Sequence, residues 1–269
     1  MKSSKKGLRI MEIVKMNKIY FSPTGGTKKV VDIVSKTWDL PTQEIDISLD
    51  IDEYKFSSDE LCIIAVPSFG GRVPSIALER LSKLKANHTP AIFIVTFGNR
   101  AIDDTLLELL DETQKYGFVT VGAIEAVCQH SIMAVYGTGR PDEKDKKELE
   151  EYANTLKRYI KTHDTFSKIY VPGNKPYKEY KGLPLKPITN DQCKQCGMCA
   201  KLCPVHAISI EHPQITNNEK CISCMRCIHI CPRHARICDP KQVNESVERL
   251  KKVCEAPKKN QLYMEEYHD

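Results

Sequence analysis

Eight of the twelve cysteines in the 269-residue chain form two copies of one pattern. In each copy the cysteines are separated by two, two and three residues, and a proline follows the last one. The copies are Cys193, Cys196, Cys199 and Cys203, then Cys221, Cys224, Cys227 and Cys231. Thiolates at this spacing bind [4Fe–4S] clusters, and the fourth cysteine of each copy ligates the other cluster. The spacing therefore predicts two such clusters.

The crossing of the fourth cysteine predicts the ligands of each cluster. The first cluster would be held by Cys193, Cys196, Cys199 and Cys231, and the second cluster by Cys221, Cys224, Cys227 and Cys203. Zinc is the alternative, but zinc sites use separated pairs of cysteines or of cysteine and histidine. The remaining thiols are interpreted as free and buried: Cys62, Cys128, Cys238 and Cys254.

A second motif, the loop FSPTGGT at residues 21–27, lies between a short apolar run and a segment of helical period. The loop lacks the signatures of ATP and dinucleotide sites. It has two glycines, three hydroxyl side chains and no cation, so a phosphate would be bound by neutral donors and a helix N-terminus. The candidate phosphate ligands are Ser22, Thr24, Gly25, Gly26 and Thr27. The loop resembles the FMN-phosphate loop of flavodoxins, and an ordinary glycine turn is the alternative.

Two later loops follow predicted strands, PSFGGRVP at residues 67–74 and FGNR at residues 97–100. The flavodoxin resemblance implies that they flank the flavin ring, with Phe69 over one face and Arg72 or Arg100 near reduced flavin. The candidate ring contacts are Ser68, Phe69, Gly70, Gly71, Phe97, Gly98 and Asn99. A third loop adds His130 and Tyr136. The alternative is that the phenylalanines are core residues, the arginines are solvated, and His130 and Tyr136 form structural hydrogen bonds.

These loops need a scaffold that positions them. In residues 17–163, short β-branched runs alternate with segments of helical period, and this pattern predicts alternating strands and helices. Strands are expected at Lys18–Phe21, Gln43–Ile47, Leu61–Pro67, Ala91–Phe97 and Val119–Val127. Helices are expected near Thr27–Thr37, Pro74–Lys85, Asp103–Tyr116 and Asp142–His163, with Asp103 and Asp142 as N-caps. The pattern indicates an α/β fold with a doubly wound, five-stranded parallel sheet.

The composition divides the chain into four parts. Residues 1–163 are the sheet domain, and Met11 or Met16 is an alternative start. Residues 164–188 form a Pro-rich, aromatic linker that we expect to lie along a surface. Residues 189–240 form a small α+β two-cluster ferredoxin-like domain, and residues 241–269 are a helix, near Lys241–Glu255, with a tail. We expect the second domain to dock near Phe69, Asn99 and Tyr136, with one cluster facing the flavin and the other facing outward.

Charge and hydropathy exclude several classes of protein. The formal net charge of +5 suggests a nucleic-acid partner, but two thiolate-bound clusters and a flavin phosphate would bring the protein close to neutrality. The lysines are scattered, so no nucleic-acid surface is predicted. No run reaches the roughly 20 apolar residues of a membrane span. The N-terminus has no signal-peptide core, so the cysteines indicate a reducing cytoplasm.

Taken together, the motifs resemble those of the flavodoxin–ferredoxin fusion proteins of anaerobic bacteria and archaea. The resemblance extends over SPTGGT, PSFGGRVP, FGNRAIDDTLLELL, GRPDEKD, both cysteine repeats and VCEAPKKNQLYM, which is nearly the whole chain. It implies FMN and two [4Fe–4S] clusters as cofactors. Phe69 departs from the related loops, which often carry tyrosine there.

The favoured hypothesis is an electron-transfer protein that converts between the one-electron chemistry of clusters and the two-electron chemistry of a flavin. Its partner would be a ferredoxin-linked enzyme or a small-molecule electron acceptor. One alternative is an FMN-dependent reductase that binds a small substrate near Phe69, Arg72 and His130. Another is a redox sensor or interaction module whose clusters are structural. No nicotinamide-binding fingerprint is present.

Overall fold

The computed structural model of the chain describes residues 12–265, and the alternative start at Met11 lies outside them. The strands are β1 (Lys15–Tyr20), β2 (Thr42–Asp46), β3 (Tyr54–Phe56), β4 (Glu60–Pro67), β5 (Leu84–Ala86), β6 (Thr89–Phe97), β7 (Phe118–Val127), β8 (Ile188–Thr189), β9 (Arg236–Ile237) and β10 (Gln261–Tyr263). The helices are α1 (Gly26–Ser35), α2 (Ser75–Leu81), α3 (Thr105–Gln114), α4 (Glu143–Thr162), α5 (Met198–Lys201), α6 (Arg226–His229) and α7 (Pro240–Cys254).

The central sheet has the strand order β10-β7-β6-β4-β1-β2. Its first five strands in the sequence are parallel, with Ile19 of β1 opposite both Ile45 of β2 and Ile64 of β4. Numbered along the chain, these strands follow the order 2-1-3-4-5 of flavodoxin-like folds. The predicted doubly wound α/β fold is therefore confirmed.

The central strands are apolar throughout because both faces of the sheet are covered. Every residue of β6 is buried, as the interior strands of a two-sided parallel sheet require. One face packs on α1 and α4 through side chains such as Val30 and Leu156. The other face packs on α2 and α3 through side chains such as Leu81 and Leu109. The two cores fix the carboxyl ends of the strands at one edge of the sheet.

The predicted sheet lacks a sixth strand that the structure contains. Residues Gln261–Tyr263 pair antiparallel with β7, so the C-terminal tail returns to the sheet domain. Asn260 is buried beside this strand. Its Oδ1 accepts from the Val127 backbone N–H at 2.9 Å, and its Nδ2 donates to Asp145 and Glu148. A three-residue strand has no readable period, which is why the sequence did not predict it.

One of the two predicted helix caps is wrong. Asp142 caps α4 in a capping box with Asp145. Asp103 does not cap α3, because the N-cap is Asp104 and Asp103 pairs with Arg100. The Asp104 carboxylate instead accepts hydrogen bonds from linker N–H groups, at 2.8 Å from Asn174 and 2.6 Å from Lys178.

The linker lies along the sheet domain. Ile169 is buried in the core on the α2 and α3 side. The guanidinium carbon of Arg72 lies 5.1 Å from the centre of the Tyr177 ring, and Nη1 of Arg72 donates to the Lys178 carbonyl at 2.7 Å. We call residues 189–240, which follow the linker, the cysteine domain. It contains α5, α6 and the small β8–β9 pair.

Candidate cofactor cleft and cysteine cavities

A cleft lies at the carboxyl ends of the parallel strands, where ligands bind in doubly wound folds. The sheet domain contributes residues from four loops, including the motifs at 22–27, 67–70 and 97–101 and the loop at 128–133. The other wall comes from the linker, the cysteine domain and α7: Leu183, Pro184, Leu185, Ser223, Cys224, Ser246, Arg249 and Leu250. The cleft therefore lies between the sheet domain on one side and the linker, the cysteine domain and α7 on the other.

Nine of the twelve predicted flavin ligands line this cleft: Ser22, Thr24, Gly26, Thr27, Ser68, Phe69, Gly70, Phe97 and Gly98. Gly25, Gly71 and Asn99 do not line it. The Asn99 side chain is buried and points to the C-terminal segment. It donates to the carbonyls of Cys254 and Ala256, at 2.5 and 3.1 Å, and accepts from the Lys258 N–H at 2.9 Å. The Asn99 amide thus binds backbone groups of the C-terminal segment, and its flavin contact stays a prediction.

The loop at residues 22–27 presents free donors at the start of α1. Unlike α4, α1 has no side-chain cap and no acidic residue in its first turn. The Ser22 hydroxyl accepts from the Lys28 N–H at 2.9 Å, and the Thr27 hydroxyl is 2.8 Å from that of Thr96. Among the described residues, the Thr24 hydroxyl has no hydrogen-bond partner. Ser22 therefore satisfies the Lys28 N–H, whereas the N–H groups of Gly26 and Thr27 have no acceptor among residues 12–265. With the free Thr24 hydroxyl they form a donor set that suits a phosphate.

A histidine from the cysteine domain lies beside this loop. A Cβ atom built on Gly25 would lie 4.0 Å from Nε2 of His229, in α6. Within residues 12–265 the His229 imidazole makes no hydrogen bond. The neighbouring Arg226 forms an ion pair with Asp46 of the sheet domain, with Nη2 3.7 Å from the carboxylate. No local pattern predicts this contact, because His229 lies about 200 residues beyond the loop.

Aromatic rings approach the two ring-flanking loops closely. Phe69 packs edge-to-face against Phe21, with ring centroids 6.3 Å apart. Gly98 leaves room for the His130 ring, since a Cβ there would lie 2.6 Å from His130 Cδ2. Gly70 likewise leaves room for the ring of Tyr180, a linker residue whose hydroxyl is buried without a hydrogen-bond partner. These glycines accommodate neighbouring side chains, which the sequence did not indicate.

His130 is a fixed hydrogen-bond donor in the cleft wall. Its Nδ1 accepts from the backbone N–H groups of Ile132 and Met133 at 3.1 and 3.2 Å. The neutral ring must then carry its proton on Nε2. Burial, with a smaller contribution from the Arg100 charge, lowers the pKa of His130 to about 4. The ring therefore stays neutral, with Nε2 as a donor, throughout the physiological pH range.

The two arginines expected near the flavin are held by carboxylates. Arg72 does not line the cleft and pairs with the buried Glu108, with Nε 2.8 Å from Oε2. Arg100 lines the cleft, but its Nη2 lies 2.5 Å from Asp103. Tyr136 lies outside the cleft and donates to the Val247 carbonyl of α7 at 2.7 Å. Glu108 thus binds the guanidinium of Arg72, and a contact of either arginine with reduced flavin stays a prediction.

The eight repeat cysteines surround two separate cavities. One cavity is lined by Cys193, Cys196, Cys199 and Cys231, and the other by Cys203, Cys221, Cys224 and Cys227. These are the two ligand sets that the crossing rule predicts. Among the described residues, no group of three or more His, Cys, Asp or Glu side chains is close enough to hold a single metal ion. Thiols spread around a cavity suit a multi-iron cluster better than one zinc ion.

The two cavities differ in their surroundings. Cys224 lines both the second-cluster cavity and the cleft, so those two spaces share a wall. Cys196, in the first-cluster cavity, is exposed to solvent. One thiol set therefore adjoins the cleft, and the other reaches the molecular surface.

Comparisons with known proteins found similarities in both parts of the chain. Residues 192–236 match the family model of the 4Fe-4S dicluster domain. Similar solved structures include a Streptococcus pneumoniae TIGR4 flavodoxin (18% identity, 54% of this chain and 99% of that chain, TM-score 0.39). Oxidised flavodoxin 1 of Bacillus cereus is 13% identical over 54% of this chain and 97% of that chain, with a TM-score of 0.39. No curated protein sequence matches.

A further similar structure is rubredoxin oxygen:oxidoreductase of Desulfovibrio gigas (13% identity, 56% of this chain and 37% of that chain, TM-score 0.42). The fold assignment rests on the strand order, and residues 192–236 match the model of a 4Fe-4S dicluster domain. Within residues 12–265, no helix is both long and apolar enough to cross a membrane.

Replacement of Cys203 tests the crossed ligand sets. Cys203 belongs to the first repeat but lines the cavity of the second-repeat thiols. We expect anaerobically reconstituted wild-type protein to bind about eight iron atoms and eight sulfides. In Cys203→Ala, EPR should show loss or conversion of the second cluster while the first cluster is unchanged.

Cys238→Ala is the matched control, because Cys238 lines neither cavity. It should keep both clusters. Selective loss of the first cluster in Cys203→Ala would show that the ligands do not cross.

Proposed function

We propose that the protein binds FMN in the cleft and passes electrons between that flavin and a redox partner through its two [4Fe–4S] clusters. The observation that carries the proposal is the shared wall at Cys224, which places the second-cluster cavity directly beside the cleft. When bound, FMN supplies two-electron chemistry and the clusters supply one-electron steps. The partner would be a ferredoxin-linked enzyme or a small-molecule acceptor.

The residues at the two ends of the cleft suit the two parts of FMN. The uncapped start of α1 and the Thr24 hydroxyl offer donors to a terminal phosphate. Apolar groups, including Phe69, Phe97 and Leu185, line the cleft and suit a flavin ring. The His130 Nε2–H adds a neutral donor to this region. These features support FMN, since a flavin with a longer phosphate-linked group would extend beyond the loop.

The positions of the cavities suggest a route for electrons. The second cluster would exchange electrons with the flavin through the wall that contains Cys224. The first cluster would exchange electrons with the partner, because Cys196 is exposed beside it. The linker, the cysteine domain and α7 all line the cleft, so an outside protein reaches the first cluster more easily than the flavin.

A reductase for a small substrate is the second candidate. Arg249 lines the cleft, is exposed and forms no ion pair among the described residues. Together with His130 it would suit a small anionic acceptor near the flavin. Steady-state turnover with small acceptors and no added protein separates the two functions. If turnover of the small acceptor is equally fast with and without an added redox protein, the reductase is favoured.

Thr24→Ala tests the phosphate loop. Removal of the free hydroxyl should weaken FMN binding by roughly 1 to 3 kcal/mol, because a phosphate oxygen loses a donor. Riboflavin, which has no phosphate, is the matched ligand, and its dissociation constant should not change. An unchanged dissociation constant for FMN would remove Thr24 from the site. Extraction of FAD instead of FMN from purified protein would contradict the choice of flavin.

His229→Ala tests whether the cysteine domain contributes to phosphate binding. His229 lies beside Gly25, so its loss should weaken FMN binding by roughly 1 kcal/mol and leave riboflavin binding unchanged. His212→Ala is the matched control, since His212 is an exposed histidine of the same domain and is not one of the neighbours of Gly25 or Gly26. Equal effects on FMN and riboflavin would mean that His229 acts on domain packing and not on the phosphate.

A further inference from the structure

Arg236, the first residue of β9, is a buried cation in the cysteine domain. Only 2% of its surface is exposed. Its Nη1 donates to the Thr216 hydroxyl at 2.6 Å, and its Nη2 donates to the Pro213 carbonyl and lies 3.8 Å from the Cys199 Sγ. Its Nε is buried and has no hydrogen-bond partner in the part of the chain that the structure describes. All its oxygen partners are neutral.

Other arginines with little exposure have carboxylate partners. The buried Arg80 lies 2.6 Å from Asp50, and the partly buried Arg140 pairs with Asp145. Among the described residues, no carboxylate lies within ion-pair distance of Arg236. A buried charge without a counter-ion is strongly unfavourable. The Arg236 site therefore requires an anion that is not one of the described carboxylates.

The position of Arg236 indicates which anion that is. Arg236 lines the first-cluster cavity together with all four of its thiols. Its partner Thr216 lines the second-cluster cavity. A [4Fe–4S] core bound by four thiolates carries a net negative charge. The guanidinium therefore lies against the first cluster site, on the side that faces the second.

The two cluster sites differ in the buried positive charge that lies beside them. The repeats end in the related sequences CPVHAI and CPRHAR, so Ile208 occupies in the first repeat the place that Arg236 occupies in the second. Ile208 lines the second-cluster cavity and is buried. That cavity is also lined by Arg226, but Arg226 has Asp46 as a counter-ion. Within residues 12–265, only the first cavity is thus lined by a buried arginine that lacks a carboxylate partner.

We propose that Arg236 is the counter-charge of the first cluster and raises its reduction potential above that of the second cluster. Reduction adds one negative charge to a cluster, and a buried cation beside it favours that change. In the resulting transfer, the second cluster loses one electron and the first cluster gains it. No bond breaks and no proton moves. The inference rests on the two clusters of the proposed function and makes the cluster on the exposed side the one that is reduced first.

EPR-monitored potentiometric titration of reconstituted protein, with dithionite as reductant, tests this inference. Wild-type protein should show two potentials, with the first cluster higher. Arg236→Gln should lower the reduction potential of the first cluster by at least about 59 mV. For a one-electron couple this shift is a tenfold change in the equilibrium constant of reduction. The second cluster should shift less. Arg236→Lys, which keeps the charge, should stay close to wild type.

Arg233→Gln is the matched control. Arg233 also lines the first-cluster cavity, but it is exposed, so solvent screens its charge and the potentials should hardly change. The Cys203→Ala variant should keep the first cluster and lose or change the second. The potential that is unchanged in this variant therefore belongs to the first cluster.

An unchanged first-cluster potential in Arg236→Gln, or equal shifts of both clusters, would overturn the inference. If Arg236→Gln does not assemble the first cluster, Arg236→Lys must assemble it at nearly the wild-type potential. Failure of both variants to assemble it would show that the guanidinium acts through packing and not charge. Fewer than two clusters in the wild-type protein would instead contradict the proposed function itself.

Discussion

The arrangement of this protein depends on the attachment of the cysteine domain over the carboxyl ends of the parallel strands. Arg80, buried in α2, joins the two parts directly. Its Nη1 donates to the Ile47 carbonyl at 3.1 Å, and its Nη2 donates to the Pro204 carbonyl, next to a repeat cysteine, at 2.7 Å. The chain is also bound to the sheet domain before and after the cysteine domain, through the linker and through β10. These attachments fix the cleft wall.

That attachment explains why the cleft differs from a pocket built by the sheet alone. Its second wall consists of segments from three later parts of the chain, and one of them contains Cys224. Asn99 and Tyr136 bind backbone groups of the C-terminal region. Their side chains hold that region in place above the cleft. Cofactor binding and domain packing therefore depend on the same loops, which is how His229 comes to lie beside the phosphate loop.

The sequence predicted those features that arise from local pattern. Apolar runs such as residues 61–67 indicated the buried parallel strands, and the cysteine spacing predicted the two thiol sets found around the cavities. Local pattern does not predict long-range partners. Asn99 and Arg72 lie in loops that the resemblance sets beside the flavin, but distant groups take the hydrogen bonds of their side chains. The β10 strand and the Arg236 site likewise depend on contacts that no local pattern encodes.

The central claim is electron transfer within one folded unit, and stopped-flow spectroscopy tests it most directly. Holo-protein is mixed anaerobically with limiting dithionite, and flavin absorbance is followed after rapid cluster reduction. Because the domains are docked, the rate of flavin reduction should be independent of protein concentration and nearly independent of solvent viscosity. A rate that rises with protein concentration, or falls in proportion to viscosity, would contradict the account.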